Sequence, residues 1–124
     1  MEYHYQRRVS FSDTDAAGVV HFSRILCYVE EAEHELLGSL GIPLLEHGGW
    51  PRVDVQCSYC APIFPESDVE VLISPDQLGG SSIIWKFDVS SGGKLCASGT
   101  VKTVRVNTEG RPVELDQAWR DQLM

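Results

Sequence analysis

The sequence predicts an α+β domain in which one long helix packs on a single five-stranded antiparallel sheet. Three observations carry this. Only one segment, Phe22 to Leu40, sustains a helical period. Four stretches between Arg52 and Val106 alternate or run apolar as strands do. The breaks at Leu78-Gly79-Gly80-Ser81 and Ser91-Gly92-Gly93-Lys94 are short and glycine-rich, so they read as tight antiparallel hairpins.

Each element follows in chain order. Tyr3, Tyr5, Val9 and Phe11 alternate with polar residues, which predicts an opening strand over Tyr3 to Phe11. Ser12-Asp13-Thr14-Asp15-Ala16-Ala17-Gly18 is dense in turn and cap residues. Phe22, Ile25, Leu26, Val29, Ala32, Leu36, Leu37 and Leu40 then recur at three- and four-residue intervals, one buried stripe of an amphipathic helix. Gly41 followed by Ile42-Pro43 stops it. The predicted strands are Arg52 to Cys60, Asp68 to Ile73, Ser82 to Ser90 and Leu95 to Val106. Asp116 caps a possible short helix over Ala118 to Leu123. One helix leaves strand edges open, so a partner subunit is expected, with sheets paired edge to edge.

Composition narrows the function. The 124 residues amount to one domain, 1–124. Eighteen acidic against ten basic side chains give a net charge of −8, which repels a phosphate backbone and argues against nucleic-acid binding. There is no signal-peptide pattern at the N-terminus and no apolar run of membrane-spanning length. Cys27, Cys57, Cys60 and Cys96 are too few for a disulfide scaffold. Cys57 and Cys60 form a CxxC without a second ligand pair, and a strand offset of three puts their thiols on opposite faces. No metal site is expected, and the chain reads as cytoplasmic, with no membrane partner.

The chemistry concentrates between Asp13 and Arg24. Two carboxylates stand two residues apart in a turn, and a helix begins shortly after. Unpaired N–H groups at a helix start can polarise a carbonyl, and a carboxylate beside them can serve as nucleophile or general base. From residue types alone, Asp13 or Asp15 as a simple cap is the stronger reading.

A resemblance sharpens this. Asp13-Thr14-Asp15-Ala16-Ala17-Gly18-Val19-Val20-His21-Phe22-Ser23 resembles the D-x-D-x-x-G-[VI]-[VI] signature of the 4-hydroxybenzoyl-CoA thioesterase family of hotdog-fold proteins. The match continues through Glu30, Val53 to Tyr59, Ala61-Pro62 and Asp68. It implies a single hotdog domain that hydrolyses an aromatic (hydroxybenzoyl- or dihydroxynaphthoyl-type) or short-chain acyl-CoA. Asp15 would be the catalytic carboxylate, attacking the carbonyl or activating water, and the Phe22 backbone N–H would polarise the thioester carbonyl. Gly18 would permit the tight turn, while Asp13 and Glu30 would support the site. His21 would line the pocket or orient water, and Val19 and Val20 would shape the acyl pocket. Ser81 and Ser82, beside the Gly79 and Gly80 amides, would hold CoA phosphate, with Lys86, Lys102 and Arg105 as further candidates. Coenzyme A enters as part of the substrate, so no cofactor is expected. Relatives of this kind imply a dimer or tetramer.

The chain departs from the family at three points, one of them the hairpin, where Gly79-Gly80-Ser81-Ser82 stands in place of the basic residues that relatives often carry. His21-Phe22 stands where many relatives have Tyr-His, and Glu30-Glu31-Ala32-Glu33 lacks the arginine of E-x-A-R. Glu33 falls inside the apolar stripe and needs a partner, for which Arg7 or Arg8 is expected, or else a pocket to face. Two other classes compete with hydrolysis. A hotdog dehydratase or hydratase would pair His21 with Glu35, although the prolines that follow such a His-Phe are absent. A non-catalytic acyl-CoA binding module would keep the turn without turnover.

Overall fold

The computed structural model describes every residue except His47. The order is β1 (Tyr3–Arg8), a 3₁₀ turn (Phe11–Asp13), α1 (Phe22–Ser39), β2 (Arg52–Tyr59), β3 (Asp68–Leu78), β4 (Ser82–Ser91), β5 (Lys94–Val104) and α2 (Gln117–Leu123). The strands form one antiparallel sheet in the order β1-β3-β4-β5-β2, so β1 and β2 are its two edges. The expected α+β class, five strands and long helix are all present.

Alternation along the inner strands builds the core. Val69, Val71, Ile73, Ile83, Trp85, Phe87 and Val89 are buried, while their neighbours Asp68, Glu70, Lys86 and Asp88 face solvent. Helix α1 lays Ile25, Val29, Ala32, Leu36 and Leu37 on that apolar face. β2 and β5 approach each other closely at Cys57↔Gly99. A Cβ at residue 99 would stand 1.8 Å from the Gln56 carbonyl oxygen, so only glycine fits there.

Two strand ends differ from the expected ones by three residues or more, each for a local reason. β1 stops at Arg8, because Ser10 N–H donates to Asp13 Oδ2 at 3.1 Å and turns the chain. β3 runs five residues past Ile73, through Pro75. β1 pairs no further than Tyr3↔Ile73, so the missing proline N–H faces a side where no strand needs it. Asp116 occupies the N-cap position of α2 but makes no side-chain cap bond, because its carboxylate binds Arg105 at 3.0 Å. The CxxC residues are free thiols, Cys57 half-buried and Cys60 exposed just past β2.

The pairing of Glu33 corrects the sequence expectation. Arg7 binds Glu31 and Asp13, and Arg8 meets Asp68 at 3.5 Å. Glu33 pairs with Arg52 on β2 instead. Residues two apart on a helix point about 200° apart, so Glu31 faces the β1 edge and Glu33 the β2 edge.

Candidate active site

The turn before α1 is built on backbone bonds. Asp15 N–H donates to Val19 O at 2.9 Å, Gly18 N–H donates to Asp15 O at 3.0 Å, and Thr14 and Val20 form an antiparallel bridge. Gly18 sits at φ +79°, the left-handed region that an L side chain enters only at a cost of about 1–2 kcal/mol. The turn is fastened to the fold by Val20 N–H on Ile63 O at 2.8 Å and His21 N–H on Asp13 O at 2.9 Å. The Asp15 side chain is exposed, and its Oδ1 accepts from Ala17 N–H at 2.9 Å, leaving Oδ2 free among the described residues.

Asp13 faces inward and plays a different part. It is 4% exposed and accepts from Tyr28 Oη at 2.7 Å, from Ser10 N–H and from Arg7 at 3.3 Å, with Arg24 at 4.0 Å. Burial alone would raise its carboxyl, but the bonds from Tyr28 and Ser10 and the two arginine charges outweigh it and hold it below the ordinary carboxylate value. Burial and the bond to Asp13 push Tyr28 above the ordinary phenol. Asp13 therefore ties β1, the turn and α1 together.

Phe22 is the first residue of α1, and among the described residues its N–H has no hydrogen-bond partner. His21 is the N-cap, its Nδ1 accepting from Ser23 N–H at 3.2 Å and lying 2.8 Å from Ser23 Oγ. That engagement with its own helix occupies one ring nitrogen. The Phe22 ring meets Tyr59 edge-on at 6.3 Å, and Tyr59 Oη donates to Phe22 O at 3.2 Å.

Asp15, Val19, Val20 and Phe22 line one side of a cleft of about 440 Å³, and Tyr59, Cys60, Ala61 and Ile63 line the other. The structure thus gathers Asp15, Phe22, Val19 and Val20 into one site. His21, as the N-cap of α1, and Gly18, in the turn, adjoin these residues in sequence but do not line the cleft. Ser81 and Ser82 lie elsewhere. Their hairpin sits at the Ser82↔Val104 end of the sheet, whereas the cleft is beside the Val89↔Ala97↔Tyr59 row, about 23 Å away along β4. The Gly79 and Gly80 carbonyls there accept from Arg120, and Arg105 is bound to Glu114 O and Asp116. Glu35 accepts from Tyr3 Oη at 2.9 Å, on the β1 side, so it does not pair with His21. Among the described residues no cluster of His, Cys, Asp and Glu side chains could hold a metal ion.

Sequence reasoning gave no role to Tyr28, Tyr59 or Cys60. Tyr28 lies within one helical turn of the apolar stripe, and a tyrosine there signals a buried hydroxyl in need of an acceptor. Tyr59 ends β2, and Cys60 follows it directly before the Ala61-Pro62 pair.

Glu30 and Glu33 belong to a second cavity, between α1 and β2. Arg52 Nε lies 3.2 Å from Glu30 Oε2, and its guanidinium binds Glu33 Oε1. Burial pushes Glu33 up from 4.5 to about 7, with Arg52 pulling it down and Glu30 adding to the rise. Between those two values the folded chain holds a proton that the unfolded chain has lost. Glu33 therefore favours folding at acid pH, and that contribution is lost as pH rises through about 7, to the extent of about 3 kcal/mol. Replacing Glu33 by Gln should flatten this part of the stability–pH curve, measured by urea unfolding from pH 5 to 9. A variant that keeps the wild-type slope would place the proton elsewhere.

A model of the thioesterase-like superfamily matches residues 9–123. The chain belongs to the thioesterase-like superfamily. Among thioesterase-like relatives, the 1,4-dihydroxy-2-naphthoyl-CoA hydrolase of Crocosphaera subtropica is 32% identical over 115 residues, 86% of this chain and 84% of that one. The enzyme of the same name from Thermosynechococcus vestitus is 37% identical over 82 residues, 62% of this chain and 56% of that one. The solved structure of a gentisyl-coenzyme A thioesterase superposes with a TM-score of 0.90 at 30% identity, covering 98% of this chain and 99% of that one. This thioesterase-like chain has the hotdog architecture expected from its signature.

Proposed function

We propose that the protein hydrolyses an aromatic acyl-CoA thioester to the free acid and coenzyme A, in the cleft at the start of α1. The observation that carries this reading is the meeting of an exposed carboxylate, Asp15, with a helix N-terminal N–H, that of Phe22, across an apolar-walled cleft. The Crocosphaera hydrolase and the gentisyl-coenzyme A thioesterase are both named for aromatic acyl groups, which supports an aromatic substrate here.

The chemistry follows from the geometry. The thioester carbonyl oxygen accepts from Phe22 N–H, where the positive end of the helix dipole stabilises the developing oxyanion; one such donor contributes about 10²–10³ in rate. Asp15 then acts in one of two ways. Its free oxygen attacks the carbonyl carbon, expelling CoA thiolate and leaving a mixed anhydride that water opens, or it takes a proton from water as that water attacks. Both routes consume one water and yield acid and thiol, and neither needs a cofactor. Val19, Val20 and Ile63 shield the acyl group from solvent.

The proposal includes a dimer or tetramer in the cytoplasm. The β2 edge supports self-association, since Val53 and Val55 are exposed there at 56% and 43%. No described helix is long and apolar enough to cross a membrane. Ser81 and Ser82 would meet CoA phosphate only if one copy's hairpin serves another copy's cleft. Thiol release from a panel of aroyl- and short aliphatic acyl-CoAs tests the substrate class. The expected result is a kcat/KM at least about tenfold higher for hydroxybenzoyl- or dihydroxynaphthoyl-CoA than for acetyl- or butyryl-CoA. A preference for the aliphatic substrates would overturn the aromatic assignment.

A further inference from the structure

Tyr59 reaches from one wall of the Asp15 cleft to the residue on the other wall that carries the free N–H. It is the last residue of β2 and is held in register by pairing with Ala97 on β5. Its ring forms part of the wall opposite Asp15, and its hydroxyl donates to Phe22 O at 3.2 Å. The two rings meet edge-on, with 6.3 Å between centroids at 86°, a favoured arrangement for an aromatic pair. Tyr59 thus contacts Phe22 through both backbone and side chain.

Residue 22 is where α1 needs such a contact. The turn is fastened as far as His21, whose N–H donates to Asp13 O, and the buried stripe of α1 begins only at Ile25. Between those anchors lies a first helical turn, the part of a helix that frays. The Phe22 side chain is 61% exposed, and its other aromatic neighbour, His21 at 4.5 Å, belongs to the same helix end. Among the described residues, the hydrogen bond from Tyr59 is the one that ties residues 22–24 to the sheet. Burial, and after it the Cys57 thiol, push the Tyr59 phenol up to about 12, so the hydroxyl keeps its proton at neutral pH and remains a donor.

We propose that Tyr59 is a positioning residue for thioester hydrolysis, its hydroxyl holding the Phe22 carbonyl from β2 and so setting the direction of Phe22 N–H. The inference rests on the hydrolase reading of the cleft. An oxyanion donor works by standing in place before charge develops, and a displacement of about 1 Å can cost about 10²-fold in rate. Ring and hydroxyl have separate tasks: the ring walls the cleft, and the hydroxyl fixes the donor.

Tyr59→Phe separates the two. It keeps the ring and removes one neutral hydrogen bond at a half-open site, so the unfolding midpoint should fall by no more than about 4 °C. With an aroyl-CoA, kcat should fall about tenfold, less than the loss of a whole oxyanion donor, while KM stays within about twofold. The same variant should lower the backbone ¹⁵N order parameter of Phe22 and leave that of Ile25 unchanged, a readout that needs no substrate. Tyr59→Leu, which removes the ring as well, should loosen Phe22 to the same extent and also raise KM.

A wild-type kcat in Tyr59→Phe would overturn the inference, and so would a lowered kcat with an unchanged Phe22 order parameter. Asp15→Asn keeps the two readings apart. If Asp15→Asn is inactive while Tyr59→Phe is fully active, hydrolysis in the cleft stands and the positioning role falls. If Asp15→Asn is fully active, the reading of the cleft falls and takes the role of Tyr59 with it.

Discussion

Asp15→Asn is expected to lower kcat for thiol release from an aroyl-CoA by about 10³-fold, while the thermal unfolding midpoint stays within a degree or two of wild type. The two halves of this result separate chemistry from architecture. Asp15 is exposed, and its side chain makes one structural bond, Oδ1 accepting from Ala17 N–H. An asparagine amide oxygen accepts the same bond, so the turn keeps its shape. The amide can neither attack the carbonyl nor remove a proton from water. If Asp15 were only a turn residue, Asn would retain full activity. A variant with near-wild-type kcat would therefore remove Asp15 from the reaction.

Asp13→Ala should produce the reverse pattern, a loss of stability of about 3–5 kcal/mol. Its carboxylate holds Tyr28 Oη, Ser10 N–H and Arg7. Truncation would leave the buried Tyr28 hydroxyl unpaired and the arginine charge uncompensated. The pH dependence carries its own sign. The folded-state value of Asp13 lies below the ordinary one, so its contribution is complete above the ordinary carboxylate range and is lost as pH falls through the lowered value. Asp13→Ala should accordingly shrink the loss of stability between pH 5 and 3, read by urea unfolding at each pH. Unchanged stability at neutral pH would mean that the network across β1, the turn and α1 carries no net energy.

These two aspartates show what a single sequence conveys. D-x-D places both carboxylates in one turn, and the signature resemblance singles out the second. Which one is buried depends on Tyr28, fifteen residues on, and on Arg7 from the preceding strand; local spacing holds no record of such contacts. The helix was legible because one apolar stripe repeats over five turns, and the hairpins because glycine pairs interrupt alternating runs. Glu33 was legible as an anomaly in that stripe. Its partner was not, since the choice between Arg7 and Arg52 turns on which sheet edge faces which side of the helix. Ser81 and Ser82 were placed with the site by residue type, and strand register puts them at the other end of the sheet. The extension of β3 beyond Pro75 likewise depends on β1 having ended, a fact of pairing and not of the β3 sequence.

The central claim is that the thioester carbonyl sits between Phe22 N–H and Asp15. An inert aroyl-CoA analogue with a methylene inserted between sulfur and carbonyl keeps the carbonyl and cannot be hydrolysed. A crystal structure of that complex measures the claim directly. The account predicts the carbonyl oxygen within hydrogen-bond distance of Phe22 N–H, about 2.7–3.1 Å, with an Asp15 oxygen facing the carbonyl carbon or a water beside it. A carbonyl bound away from the start of α1, with Phe22 N–H left free, would contradict it.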